Sequence, residues 1–194
     1  MKLTPKLLKR LIKETIRENS MLLNEALGRD YYSLMESLEF SGDTSAFGIM
    51  SAQNPMATAN LSEEENERRA QELVMDLDGE QWDYVPIGGK YGGVDEKSNV
   101  INNPSHEDMV RLCGKYQQES YVWGSVEDEP RYRLMEIVYD EEGNAIGSKL
   151  YTKWGAKPTD LLIKEDDDPN LKNAEDNYSE LDGKKFVFPF FGMP

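Results

Sequence analysis

A helix-start signal in LSEEENERRAQELVMDLDG, residues 61–79, is the clearest local pattern in this chain. Ser62 is a favoured N-cap, and Glu65 three positions later completes a capping box. Ion pairs four residues apart are expected between Glu64 and Arg68 and between Glu65 and Arg69. The apolar face of the helix consists of Ala70, Leu73, Val74 and Leu77. A helix with this stripe needs a second apolar surface to cover it.

A second capped helix and several short strand patterns supply that surface. Ser105 and Asp108 repeat the box in front of an apolar face made of Met109, Leu112, Cys113 and Tyr116. Strands are predicted at 47–52, 82–87, 99–101, 120–125 and 186–191, with a glycine-rich loop at 88–98. Residues 132–154 alternate around Glu142-Gly143-Asn144, which predicts a hairpin. We expect an α+β fold: a small mixed or antiparallel sheet, two capped helices, an N-terminal amphipathic helix and a C-terminal β-hairpin.

The N-terminal segment MKLTPKLLKRLIKETIRE is predicted to be a basic amphipathic helix, with Thr4 as N-cap and Pro5 at its first position. Three interpretations are open: a helix packed on the body, an element that docks on a protein partner, or a helix on a membrane surface. The first two are favoured, because an anionic membrane would repel the acidic body behind the helix. Its docking residues are Leu7, Lys9, Arg10, Leu11, Lys13 and Ile16. The predicted organisation is a docking or leader helix at 1–28, a connector at 29–45 and one α+β domain at 46–194. That domain includes an acidic loop at about 155–184.

Charge limits the partners. The formal net charge is −15, yet the first seventeen residues carry six basic residues and one acidic residue, which leaves about −20 on the remainder. Such a body repels polyanions, so neither nucleic acid nor a membrane is expected as its partner. No secretory signal or apolar run of membrane-spanning length is found, and the single cysteine fits a reducing compartment. Host cytoplasm or a virion is the expected location.

The usual catalytic and metal patterns are weak. His106 and Cys113 lie seven helical residues apart, roughly 10 Å, which is too far for a hydrogen-bonded dyad. The His is therefore expected to be an exposed residue of the first turn, and the Cys a small buried hydrophobe. Acidic runs at 127–129 and 165–168 lack the spacing of a calcium loop, and the GGKYGG sequence at 88–93 lacks the Ser or Thr of a phosphate loop. No metal and no cofactor are expected.

One polar residue breaks the first helical stripe. Asn66 lies four residues before Ala70 and seven before Leu73, so its amide faces the core and needs partners. Two interpretations stay open: a structural amide bonded to a loop backbone, or a site residue at the helix start. Glu96, beside Ser98, is the one carboxylate that is expected to reach it.

Residues 47–124 resemble a domain-of-unknown-function family of small bacterial and tailed-phage proteins. The matching stretches are SAQNP (51–55), LSEEENERR (61–69), EKS (96–98) and QQESYVWG (117–124). The resemblance implies one shared polar constellation and no particular activity. Its members are Asn54, Ser62, Glu65, Asn66, Arg69, Glu96, Ser98, Gln118 and Ser120.

The N-terminus also resembles the leader helices of head proteins of large tailed phages, which are clipped after Leu/Ile-x-Glu. LNE at 23–25 followed by Ala26 fits that rule, so cleavage is expected between Glu25 and Ala26. The leading hypothesis is a non-enzymatic phage-encoded protein, virion-associated or internal to the head, that binds a protein such as a capsid or prohead component. The alternative is a small cytoplasmic enzyme or ligand-binding module. Its site would be built from Asn54, Asn66, Arg69, Glu96 and Gln118.

Overall fold

A computed structural model describes residues 44–55, 61–91, 94–125, 128, 131–153, 156–158, 162–164, 177–181 and 184–187. The predicted N-terminal helix and the predicted cleavage site lie outside these residues. The strands, in chain order, are β1 (Ala46–Ser51), β2 (Tyr84–Tyr91), β3 (Val94–Asn102), β4 (Ser120–Ser125), β5 (Tyr132–Tyr139), β6 (Ala145–Leu150), β7 (Leu162–Lys164), β8 (Asn177–Leu181) and β9 (Lys184–Val187). The helices are α1 (Glu63–Gly79) and α2 (His106–Lys115).

The nine strands of the described residues form one sheet, in the order β6-β5-β4-β1-β3-β2-β8-β9-β7. Each of the described pairings is antiparallel. The α+β class is therefore as predicted, and the sheet is antiparallel, one of the two arrangements that the sequence left open. β5 and β6 form the predicted hairpin. The sheet is larger than the small one expected, because β7 and β8 lie inside the stretch that was predicted to be an acidic loop.

The predicted glycine-rich loop is another correction. β2 continues through Gly88 and Gly89 to Tyr91, and β3 begins at Val94, so that most of this stretch is a long hairpin. Eight consecutive residue pairs join the two strands, from Tyr84 with Ile101 to Tyr91 with Val94. Cross-strand pairing over that length outweighs the low strand propensity of glycine.

Apolar side chains are buried on both faces of the sheet. One cluster contains Tyr132 of β5 and Phe186 of β9, both fully buried. These strands are six places apart in the sheet order, which in a flat sheet would be roughly 29 Å. The sheet therefore curls around this cluster. The opposite face is covered by α1 and α2, whose Leu73, Leu77 and Met109 are fully buried against it.

A glycine in β1 leaves room for a side chain of α2. A Cβ added at Gly48 would collide with the thioether of Met109. The helices themselves begin at the predicted N-caps: the Ser62 and Ser105 side chains accept from the amides of Glu65 and Asp108. Neither helix in the described part of the chain is long and apolar enough to cross a membrane.

Candidate functional site

The loop that follows β1 is held by an amide pair. Asn54 has a positive φ of 49°, a conformation that asparagine tolerates better than most residues. Its backbone N–H donates to Asn66 Oδ1 at 3.0 Å, and Asn66 Nδ2 donates back to Asn54 Oδ1 at 2.9 Å. The polar residue in the apolar stripe of α1 thus binds a loop backbone, which is one of the two interpretations that the sequence leaves open.

Glu96 of β3 joins this pair through Asn54. Asn54 Nδ2 donates to Glu96 Oε1 at 3.0 Å, so the carboxylate reaches Asn66 indirectly. Burial raises the pKa of Glu96, and the hydrogen bond from Asn54 opposes that effect only in part. A carboxyl whose charged form is disfavoured resembles many catalytic acids, but its one described polar contact is with a structural amide.

Arg69 and Gln118 bind the same loop from the helical side. Arg69 Nε donates to the carbonyl of Ala52 at 2.7 Å, and its Nη2 donates to the carbonyl of Tyr116 at 2.5 Å. Gln118 Nε2 donates to the carbonyl of Gln53 at 2.9 Å. Two side chains that were candidates for holding a substrate therefore hold backbone carbonyls.

The polar clamp is our name for the side chains that fix residues 51–54. It consists of Ser51, Gln53, Asn54, Asn66, Arg69, Glu96 and Gln118. Sequence reasoning missed two of its members. Ser51 Oγ donates to the carbonyl of Lys97 at 2.9 Å, and Gln53 Oε1 accepts from the amide of Lys97 at 2.8 Å. Polar residues at the end of a buried strand and just after it were the available signal, since buried polar side chains need partners.

The remaining predicted site residues have other surroundings. Ser62 caps α1, whereas the Glu65 carboxylate, instead of closing the capping box, accepts from Arg68. Ser98 is buried in β3, and Ser120 is half-buried at the start of β4. The expected ion pairs of Arg68 and Arg69 were wrong. Arg68 pairs with Glu65 and Glu72, and Arg69 turns inward to the clamp because it lies three residues after Asn66 and four before Leu73.

The single histidine belongs to a separate polar row. His106 Nδ1 and the Tyr121 hydroxyl are 2.6 Å apart, and that hydroxyl is 3.0 Å from Ser148 Oγ. The imidazole also stacks on Trp123, with ring centroids 3.9 Å apart. Burial lowers the pKa of His106, so the neutral ring is favoured. His106 is exposed in the first turn of α2, as expected, but the expectation did not include these ring contacts. Alternation in β4, which points Tyr121 and Trp123 to the helical face, was the available signal.

A shallow groove of about 490 Å³ lies beside this row, between α2 and the β5–β6 hairpin. Val110, Met135 and Ile146 give it an apolar lining. Cys113 does not reach it: the thiol is buried against Met50, and burial raises its pKa. The described part of the chain contains no group of three His, Cys, Asp or Glu side chains that could hold a metal ion.

No protein-family model matches the chain, and no curated protein matches it significantly. The resemblance to a family of bacterial and phage proteins therefore stays a prediction.

Proposed function

We propose that this chain acts by binding another protein and not by catalysis, as a phage-encoded protein that is virion-associated or internal to the head. The observation that carries the proposal is the use of the polar clamp. Asn66, Arg69 and Gln118, the polar side chains best placed for a ligand, bind the backbone of the loop or of Tyr116. The geometry gives correspondingly less support to the alternative of a small enzyme or ligand-binding module at this position.

The docking element in this proposal is the basic segment at 1–17. Its six basic residues precede a remainder of about −20, so an acidic partner surface would attract the segment while the body is repelled. This asymmetry favours a contact made mainly through the segment. A capsid or prohead protein is the partner that the leader resemblance suggests, with removal of residues 1–25 after delivery.

The test is incorporation of the chain into particles made by the cells that produce it. Replacing Lys9, Arg10 and Lys13 by glutamate should remove the protein from purified particles, because the attraction becomes repulsion. The matched control carries the same charge change on the body, at the exposed residues Lys97, Lys115 and Lys157. It should be incorporated as the unaltered chain is, since exposed ion pairs contribute less than about 1 kcal/mol each.

The intact mass of the protein recovered from particles distinguishes a leader that is removed from a docking helix that is retained. A chain that starts at Ala26 supports leader cleavage, and a chain that starts at Met1 leaves a standing contact. Equal incorporation of the two charge variants would contradict docking through the basic segment, and absence of the protein from particles would contradict virion association.

A further inference from the structure

The outer edge of β6 is open in the described structure. β6 is the terminal strand of the sheet order and pairs on its inner side with β5, from Met135 with Leu150 to Tyr139 with Ala145. A terminal strand presents a row of amides and carbonyls to solvent, which makes it a template for another strand.

The hydrogen-bond pattern identifies which groups face outward. Tyr151 donates its backbone amide to Leu134 of the hairpin partner, and Ile137 donates its amide away from β6, to Glu119. Antiparallel ladders alternate between bonded and non-bonded pairs. The pairs of Met135 with Leu150 and Ile137 with Ser148 are therefore non-bonded. The amides and carbonyls of Ser148 and Leu150 point to the open edge.

Two large apolar side chains are exposed on the same strand. Ile146 is 64% exposed and Leu150 is 36% exposed, whereas the other exposed large apolar residues of the described chain, Met75 and Val94, lie on other elements. Lysine on an edge strand usually discourages pairing. Here Lys149 Nζ leans back to Glu136 of β5 at 3.5 Å. The one register shift of the β5–β6 hairpin leaves Ile146 without a partner residue in β5, whereas Gly147 to Leu150 pair with β5 in regular register.

We propose that β6 pairs antiparallel with β6 of a second copy of this chain, about a two-fold axis at Ser148. The two Ser148 residues then form a bonded pair through the amides and carbonyls that face outward. Ile146 of each copy lies opposite Leu150 of the other, which covers both exposed apolar side chains at once. Gly147 lies opposite Lys149, so no like charges meet.

Neighbouring registers satisfy fewer of these conditions. An axis at Lys149 places two lysines directly opposite each other, which is destabilising. An axis at Gly147 places Ile146 opposite Ser148 and leaves Leu150 without an apolar partner. Self-complementarity around Ser148 is the reason to choose a second copy over an unrelated peptide, and the pairing joins two sheets into one continuous sheet.

Association should be weak and should strengthen with salt. One pair of short strands buries less than a standard interface of roughly 1,600 Å². Two chains of net charge −15 repel each other, and salt screens that repulsion. A dimer is therefore expected at high concentration, with a larger dimer fraction at about 0.5 M salt than at about 0.05 M.

The test is sedimentation velocity of the full chain between about 10 μM and about 1 mM. The double variant Ile146→Lys, Leu150→Lys places lysines opposite lysines in the proposed register and should be monomeric throughout. Ile146→Lys with Leu150→Glu alters the same positions but pairs opposite charges across the axis, so it should regain the dimer. Met75→Lys, at an exposed residue of α1, should behave as the unaltered chain.

Cross-linking tests the register itself. A cysteine at position 148 in each copy lies on the axis, at a Cα separation of about 5.5 Å that a disulfide can span. Cysteines introduced at Thr152 would lie roughly 26 Å apart along paired strands. Ser148→Cys should therefore cross-link under mild oxidation and Thr152→Cys should not. A monomer at the highest concentration and salt, a dimer that survives the double-lysine variant, or equal cross-linking at both positions would overturn the proposal.

Discussion

The polar clamp and the β6 edge differ in how backbone groups outside the sheet ladder are treated: the clamp supplies side-chain partners for them, and the β6 edge does not within the described residues. At residues 51–54 the chain leaves the sheet, and side chains from α1, β3 and the segment after α2 bond its backbone or side-chain amides. At β6 the backbone of Ser148 and Leu150 faces outward from the ladder without such side chains in the described structure. The polar side chains that were conspicuous in the sequence therefore have a structural role in the polar clamp. The surface suited to contact with another chain lies instead on β6, where the sequence shows no such polar side chains.

The largest effect should come from the clamp arginine. Arg69→Leu leaves the carbonyls of Ala52 and Tyr116 without their charged donor. Losing two hydrogen bonds to a charged group should cost about 3 kcal/mol of unfolding free energy. Urea denaturation followed by circular dichroism measures the loss.

Its matched control is the preceding residue on the same helix. Arg68 is about half exposed and pairs with Glu65 and Glu72 on the surface. Arg68→Leu should cost less than about 1 kcal/mol. Equal losses of unfolding free energy for the two variants would mean that the inward contacts of Arg69 contribute no more than a surface ion pair. The structural role of the polar clamp would then be contradicted.

Asn66 should give the next largest effect. Asn66→Leu adds apolar volume to an apolar stripe but leaves the Asn54 amide and Oδ1 without their partner. We expect a loss of about 1–3 kcal/mol, the cost of leaving buried polar groups unsatisfied. Gln71→Leu, which removes an exposed hydrogen bond to Glu67 from the same helix, should stay within about 0.5 kcal/mol. Unchanged or increased stability of Asn66→Leu would instead mark Asn66 as a site residue whose polarity is kept for a ligand.

Local patterns predicted the helices and the hairpin well because the signals are local. Ser62 and Ser105 cap their helices, and residues 132–154 contain the β5–β6 hairpin with its turn around Gly143. Long-range order could not be read in this way. β1 lies between β3 and β4, and this pairing depends on tertiary packing that no short window contains.

The sequence predicted which residues lie in the candidate site better than it predicted what those residues bond. Asn54, Asn66 and Glu96 lie in one hydrogen-bonded group, but Glu96 bonds Asn54 and not, as expected, Asn66. The partners of Arg69 and Gln118 are backbone carbonyls of distant segments. Side-chain type indicates what a residue can bond. Whether its partner is a loop backbone group or a ligand depends on the fold.

The smallest expected effect is a pH dependence from Glu96. Because burial raises its pKa above the ordinary glutamate value of about 4.3, the folded chain holds this proton more tightly than the unfolded chain. The associated stability is fully present below the ordinary pKa and is lost as pH rises through the folded-state pKa. Glu96→Gln keeps an oxygen for Asn54 and removes the titration, so its stability relative to the unaltered chain should rise as pH increases above about 4.3, the ordinary glutamate pKa.

Glu67 provides a control of opposite sign. Hydrogen bonds from Lys97 and Gln71 lower the pKa of Glu67, so its ionised form contributes stability above the ordinary pKa that is lost as pH falls. The relative stability of Glu67→Gln should therefore fall with rising pH at the acid end, below about pH 5, and should then stay level, as measured by urea denaturation at each pH. Parallel trends for the two variants would show that overall charge and not burial at the clamp governs the pH dependence. Opposite trends would show that the ionised, buried Glu96 lowers the stability of the fold even though its hydrogen bond to Asn54 helps to fix the loop.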